Sequence, residues 1–168
     1  MPITSVAGVS DDALSLKNLM DGLLTYLVDR FDHHNVLLPT KQYWKVGAPV
    51  IDCEQLVLSA YQVYLGPPGQ QLPQPVRGNA PRTALIRAML ARSIPQPDNR
   101  GTEPTYAKQQ EGAEISAVDM WVLLDAVNYL DSWDAIGAFG LGVTAAVEVE
   151  EPSGGIQVVT ATFEVAIP

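Results

Sequence analysis

The chain has a single cysteine, Cys53, in 168 residues. It therefore forms no internal disulfide, and its stability must come from a packed core. One cysteine also fits a reducing compartment. Charge is sparse: Asp, Glu, Lys and Arg make up 17% of the residues, against about 25% in ordinary soluble domains. Basic residues are the scarcer kind. Ten Lys and Arg face nineteen Asp and Glu, giving a formal net charge of −9, and no three basic residues are adjacent. Tight binding along a nucleic-acid groove needs clustered Lys and Arg, so that class is set aside. An acidic surface that DNA slides past without sticking is compatible with the charge, because like charges repel. No run of 18 apolar residues occurs, so no membrane span is expected. The opening MPITSVAGVSDD lacks the basic-then-apolar order of a secretory signal.

What is present reads as one α+β domain. A chain of this length buries roughly 70% of its unfolded surface and needs no metal to hold it together. Residues 1–9 form an N-terminal arm. Ser10 is a candidate N-cap before Asp11 and Asp12, whose charges favour the positive end of a helix dipole. Leu16, Leu19, Met20, Leu23, Leu24, Leu27, Val28 and Phe31 then recur at helical spacing, which predicts a helix over about 11–31. Gln42 to Val46 predicts a short strand, and Gly47-Ala48-Pro49 breaks it. Gln55 to Leu65 is a longer run rich in Val, Tyr and Leu. Residues 66–81 hold five prolines and three glycines and form a long loop. Such loops in compact domains are functional or ordered by partners, which makes Pro67, Pro68, Leu72, Pro73, Pro75 and Arg77 an interface candidate.

Arg82 to Ile94 contains good helix formers, yet it also alternates. Ala84, Ile86, Ala88 and Leu90 fall on one side, and Thr83, Arg87 and Ser93 on the other; strand is the reading taken. Residues 95–104 make a second loop that turns at Asp98-Asn99-Arg100-Gly101. A second helix is expected over about 105–130, with Ile115, Val118, Trp121, Val122, Leu124 and Val127 as the apolar stripe facing the sheet. Alternation from Val143 to Val149, a turn at 151–155 and a run from Ile156 to Ile167 predict a closing hairpin. The expected architecture is a mixed or antiparallel sheet of about five strands packed against two helices, in the order α-β-β-β-α-β-β.

No constellation of catalytic, cofactor or metal-binding residues stands out. Asp29, Asp32, His33 and His34 have metal-ligand chemistry, but adjacent histidines point apart and no further cluster completes a shell. They read as a polar helix end. Cys53 has no histidine base beside it, and Asp52 and Glu54 oppose thiolate formation; it reads as a small half-buried residue. The glycines 137, 140 and 142 follow a helix and open a strand, the reverse of a dinucleotide loop. Asp119, Asp125, Asp131 and Asp134 read as a solvated helix face, and Trp121 and Trp133 as core or interface anchors. Glu148, Glu150, Glu151 and Glu164 gather around the hairpin, as a solvent face or as an acidic strip toward a lumen or partner.

The element order resembles the tail terminator proteins of long-tailed bacteriophages. The segment LPTKQYWKVGAPVIDCEQLVLSAYQVYLGPPG is similar to part of small head-to-tail connector proteins from phages of actinobacteria. The likeness is carried by Leu38, Pro39, Tyr43, Gly47, Pro49, Asp52, Cys53, Glu54 and Gln55. It covers about thirty residues closely, and the rest of the chain only through element order. The resemblance implies a structural virion protein and not an enzyme: a homo-hexameric ring at the head-proximal end of the tail. Such a ring stops growth of the tube, contacts the tail tube protein and the head connector, and lets DNA pass without tight binding. It is assembled in the host cytoplasm and has no membrane or cofactor. A head-side stopper or other neck protein is the alternative within the class. A small ligand-binding domain or enzyme is the alternative outside it.

Overall fold

A computed structural model describes residues 11–72, 81–130, 145–150 and 152–167. The chain is an α+β fold with two helices on one face of a five-stranded mixed sheet. Helix α1 (Asp11–His33) is followed by β1 (Gln42–Val46), β2 (Gln55–Leu65) and β3 (Arg82–Ser93). Helix α2 (Tyr106–Asn128), β4 (Ala145–Val149) and β5 (Ile156–Ile167) complete the order. The N-terminal arm, Ser10, Val143, Trp133, Asp131, Asp134 and the three glycines at 137, 140 and 142 lie outside the described residues.

Helix α1 runs two residues beyond its expected end because a specific cap stops it. Asn35 adopts a left-handed φ of 55°. Its N–H bonds the Asp32 carbonyl at 2.9 Å, and the Val36 N–H bonds the Phe31 carbonyl at 3.0 Å. This is the Schellman arrangement, with Asn in the place usually held by Gly. Val36 packs on the same core as Phe31, which supplies the accompanying apolar contact. Thr105 caps α2 by accepting from the Lys108 N–H.

The strand order is β1-β2-β3-β5-β4. Only β1 and β2 are parallel; all other neighbours are antiparallel. The β1–β2 connection is therefore a crossover and not a hairpin turn. It returns through residues 47–54 without the helix such connections usually use. Gly47 starts it at a φ of 81°. The Ser59 hydroxyl then donates to the Gly47 carbonyl, and the Gln55 amide donates to the Val50 carbonyl at 2.8 Å. Ile51 packs with Val57 and Met89, so the crossover lies on the sheet face away from the helices.

The core is the helix-facing side of that sheet. Leu56 and Leu58, then Ala84, Ile86, Ala88 and Leu90, then Val159, Ala161 and Phe163 form three adjacent rows. Leu19, Met20, Leu23, Leu27 and Phe31 of α1 cover them, with Val122, Leu123, Ala126 and Val127 of α2. The small alanines on β3 leave room for the large side chains above. The alternation read in β3 is thus the observed one. Its strand geometry prevails over its helix-forming composition because it is paired on both sides, to β2 and β5.

Replacing Ile86 by Ala leaves a hole in the central strand and should destabilise by about 2–5 kcal/mol. Val63→Ala, on a half-exposed side chain of the neighbouring strand, should change stability by about 0.5 kcal/mol or less. Urea unfolding followed by tryptophan fluorescence measures both.

Candidate functional site

The expected stripe on α2 is corrected by its packing. Val122 and Val127 face the sheet, but Ile115, Val118, Trp121 and Leu124 are exposed. The inward stripe is Asp119, Val122, Leu123, Ala126 and Val127, continued by Leu130 just past the helix end. Asp119 was expected on a solvated face, yet it is 1% exposed. Its two carboxylate oxygens accept from Arg92 Nε and Nη2 at 2.5 and 2.8 Å. Arg92 also donates to the Leu37 carbonyl at 2.9 Å. A two-pronged bond between β3 and α2 thus takes a core position that an apolar residue would normally hold.

Asp125 is likewise not solvated. It sits between the helices as an ion-pair partner of Arg30, and His34 Nε2 lies 2.9 Å from the same carboxylate. The imidazole packs edge-on against Trp121 at 4.9 Å, and Arg30 lies over the Tyr129 ring at 5.1 Å. Burial pushes the Asp125 pKa up, but the hydrogen bonds from His34 and Arg30 outweigh it and hold the carboxyl below its ordinary value. His34 thus has a structural partner; its ring also meets that of His33 edge-on at 5.1 Å, so the adjacent histidines do not point apart as expected. Among the described residues, no group of three His, Cys, Asp or Glu could hold a metal ion.

The family-like segment forms the crossover and the start of β2. Pro39 and Gln55 are buried, and Pro49 is half-buried. The Glu54 carboxylate accepts the Ser93 N–H at 3.0 Å, tying the start of β2 to the end of β3. Asp52 pairs with Lys41 at 3.1 Å. Hydrogen bonds from Cys53 and Lys41 hold Asp52 below its ordinary pKa, and the Asp52 bond raises that of Lys41. Cys53 is exposed, not half-buried, because it lies on the outside of the crossover. Lys41, Asp52, Cys53 and Glu54 line an open groove of about 720 Å³ with Gln96 and Gly155. The volume suits a small ligand, but enclosed apolar walls are the usual mark of such sites.

The hairpin acids divide. Glu148 is exposed, and Glu150 accepts from the Thr160 hydroxyl at 2.7 Å. Glu164 accepts from the Tyr64 hydroxyl at 3.1 Å and from the Gly69 N–H. It anchors the start of the proline-rich loop. Glu151 lies outside the described residues. So do Pro73, Pro75 and Arg77, whereas Pro67, Pro68 and Leu72 are half-buried. At the loop base the Gly66 N–H bonds the Pro81 carbonyl at 2.7 Å, and the Thr83 hydroxyl bonds the Gly66 carbonyl at 2.6 Å.

Among the described residues, one surface is apolar. Trp121 is 57% exposed and Leu37 87% exposed, with Ile115 and Val118 beside them. Leu37, Ile115 and Val118 line a shallow groove of about 430 Å³ whose edge is the Arg92–Asp119 pair. Among the described residues no helix is long and apolar enough to cross a membrane. A comparison with models of known protein families, and another with curated proteins, finds no match to this chain.

Two tests follow from the buried acids. Asp119→Ala strands a partly buried guanidinium and should destabilise by about 3–5 kcal/mol in urea titrations. Asp125 has a folded pKa below its unfolded value of about 3.9. The stability it adds is present above that unfolded value and is lost as pH falls through the folded pKa. Asp125→Asn should therefore flatten the acid limb of a stability–pH curve and lower stability at neutral pH.

Proposed function

We propose that the chain is a structural component of a phage neck, a tail terminator that forms a ring and joins the tail tube to the head connector. The observation that carries this reading is the exposed apolar surface of Leu37, Ile115, Val118 and Trp121. Large aromatic and aliphatic side chains grouped on one exposed face are the anchors of protein–protein contact. The surface has a rigid base, since the Arg92–Asp119 and Arg30–Asp125 pairs hold α2 in place beneath it. The α-β-β-β-α-β-β order and the family-like crossover support the same reading.

The net charge of −9 gives a reason why a duplex could pass through such a ring without being held. The base of the proline-rich loop, anchored through Gly66, Thr83 and Glu164, is a candidate second contact.

The test is tail morphology. Tails assembled without this chain should overgrow and fail to join heads, and adding the purified protein should restore normal length and joining. Tails of normal length beside heads that leak DNA would move the protein to the head side as a stopper. Normal particles in its absence would overturn the neck reading altogether. For the small-molecule alternative, the groove beside Lys41, Asp52 and Cys53 is the place to look, and a ligand that raises the melting temperature would favour it.

A further inference from the structure

We propose that neighbouring copies join edge to edge, β4 of one copy pairing antiparallel with β1 of the next, so that one sheet continues around the ring. This rests on the ring reading above and specifies its interface. The strand order leaves two edges, β1 and β4, each five residues long and each paired on one side only among the described residues. An edge strand presents unsatisfied backbone donors and acceptors, which a neighbour can use. The directions are compatible. β1 runs with β2, and the three antiparallel steps from β2 through β3 and β5 leave β4 opposed to β1. A rotation that carries one copy onto the next therefore presents β4 to an antiparallel partner.

The side chains select the register. Trp44 lies on the helix side of the sheet with Val147, and both pack against the main core. Alternation puts Val46 and Val149 on that side, and Tyr43, Lys45, Glu148 and Glu150 on the other. Placing Lys45 opposite Glu148 sets Val46 opposite Val147 and Trp44 opposite Val149. Val46 is 65% exposed and Val149 37% exposed in the single chain, so the pairing covers both. A one-residue slip would mix the faces. A two-residue slip in one direction opposes Lys45 with Ala146; in the other it opposes Lys45 with Glu150, whose carboxylate already accepts from the Thr160 hydroxyl, and carries Trp44 past the end of β4.

The same charges select the symmetry. Full-length self-pairing sets Lys45 of β1 opposite Tyr43, and Glu148 of β4 opposite Ala146, so neither gives the lysine an acidic partner across the ladder. Only the heterologous β4–β1 contact joins opposite charges, and repeated heterologous contacts close into rings. Glu148 is thus a partner-facing acid.

The experiment is a charge exchange read by analytical ultracentrifugation of the full chain. Lys45→Glu and Glu148→Lys should each weaken self-association at least tenfold, and the combined variant should restore it. A second measurement does not depend on the charge variants. In a Cys53→Ser background, Lys45→Cys combined with Glu148→Cys should give a ladder of oxidised oligomers, and either substitution alone should give dimers at most. A wild-type ring that neither charge reversal weakens, or a double-cysteine variant without the ladder, would overturn the interface and leave the ring reading intact. A wild-type chain that stays monomeric, alone and in particles, would overturn both.

Discussion

The buried pair between Arg92 and Asp119 is the constraint on which the rest of the molecule depends. Asp119 is fully enclosed, and a carboxylate there is tolerable only while both oxygens are bonded. The second half of α2 is apolar on nearly every side, so hydrophobicity alone gives it no preferred rotation. The Arg92 fork, projecting from a central strand, sets that rotation. Val122, Leu123, Ala126 and Val127 go inward as a result, and Ile115, Val118, Trp121 and Leu124 are left outside. The apolar surface that supports an assembly role is thus a consequence of one ion pair. That Arg92 also bonds the Leu37 carbonyl places the exposed Leu37 beside the same helix face.

How far the sequence could be read follows from the same residues. The strands at 42–46, 55–65, 82–93 and 156–167 were legible because alternation and Gly or Pro boundaries are local signals. The inward stripe of α2 was not, because an aspartate sits in its first position and broke the apolar pattern. Nothing near Asp119 in the sequence points to Arg92, twenty-seven residues away. Asp125 was hidden in the same way, since Arg30 lies on the other helix and His34 just past its end. The crossover was legible as a break but not as a parallel connection. Its direction is set by long-range pairing of β1 with β2, and no local composition records that.

The stretch from Pro39 to Gly66 takes on a definite mechanical meaning. Its charged and polar residues secure a helix-free crossover: Ser59 to Gly47, Gln55 to Val50, Glu54 to Ser93 and Lys41 to Asp52. This places β1 at the sheet edge with Trp44 held to α1, its indole donating to Asp21 at 2.6 Å. A subunit whose edge strand is fastened from both faces presents that edge in one fixed geometry. Such preorganisation lowers the ordering cost of association.

The central claim is that the sheet ends at edges which another copy completes. Hydrogen exchange tests it most directly, comparing the assembled wild-type chain with the dissociated Lys45→Glu variant. The account predicts that amides of 42–46 and 145–149 gain protection together in the assembly, while those of the 95–104 loop do not change. Equal exchange of both edge strands in the two states would contradict it.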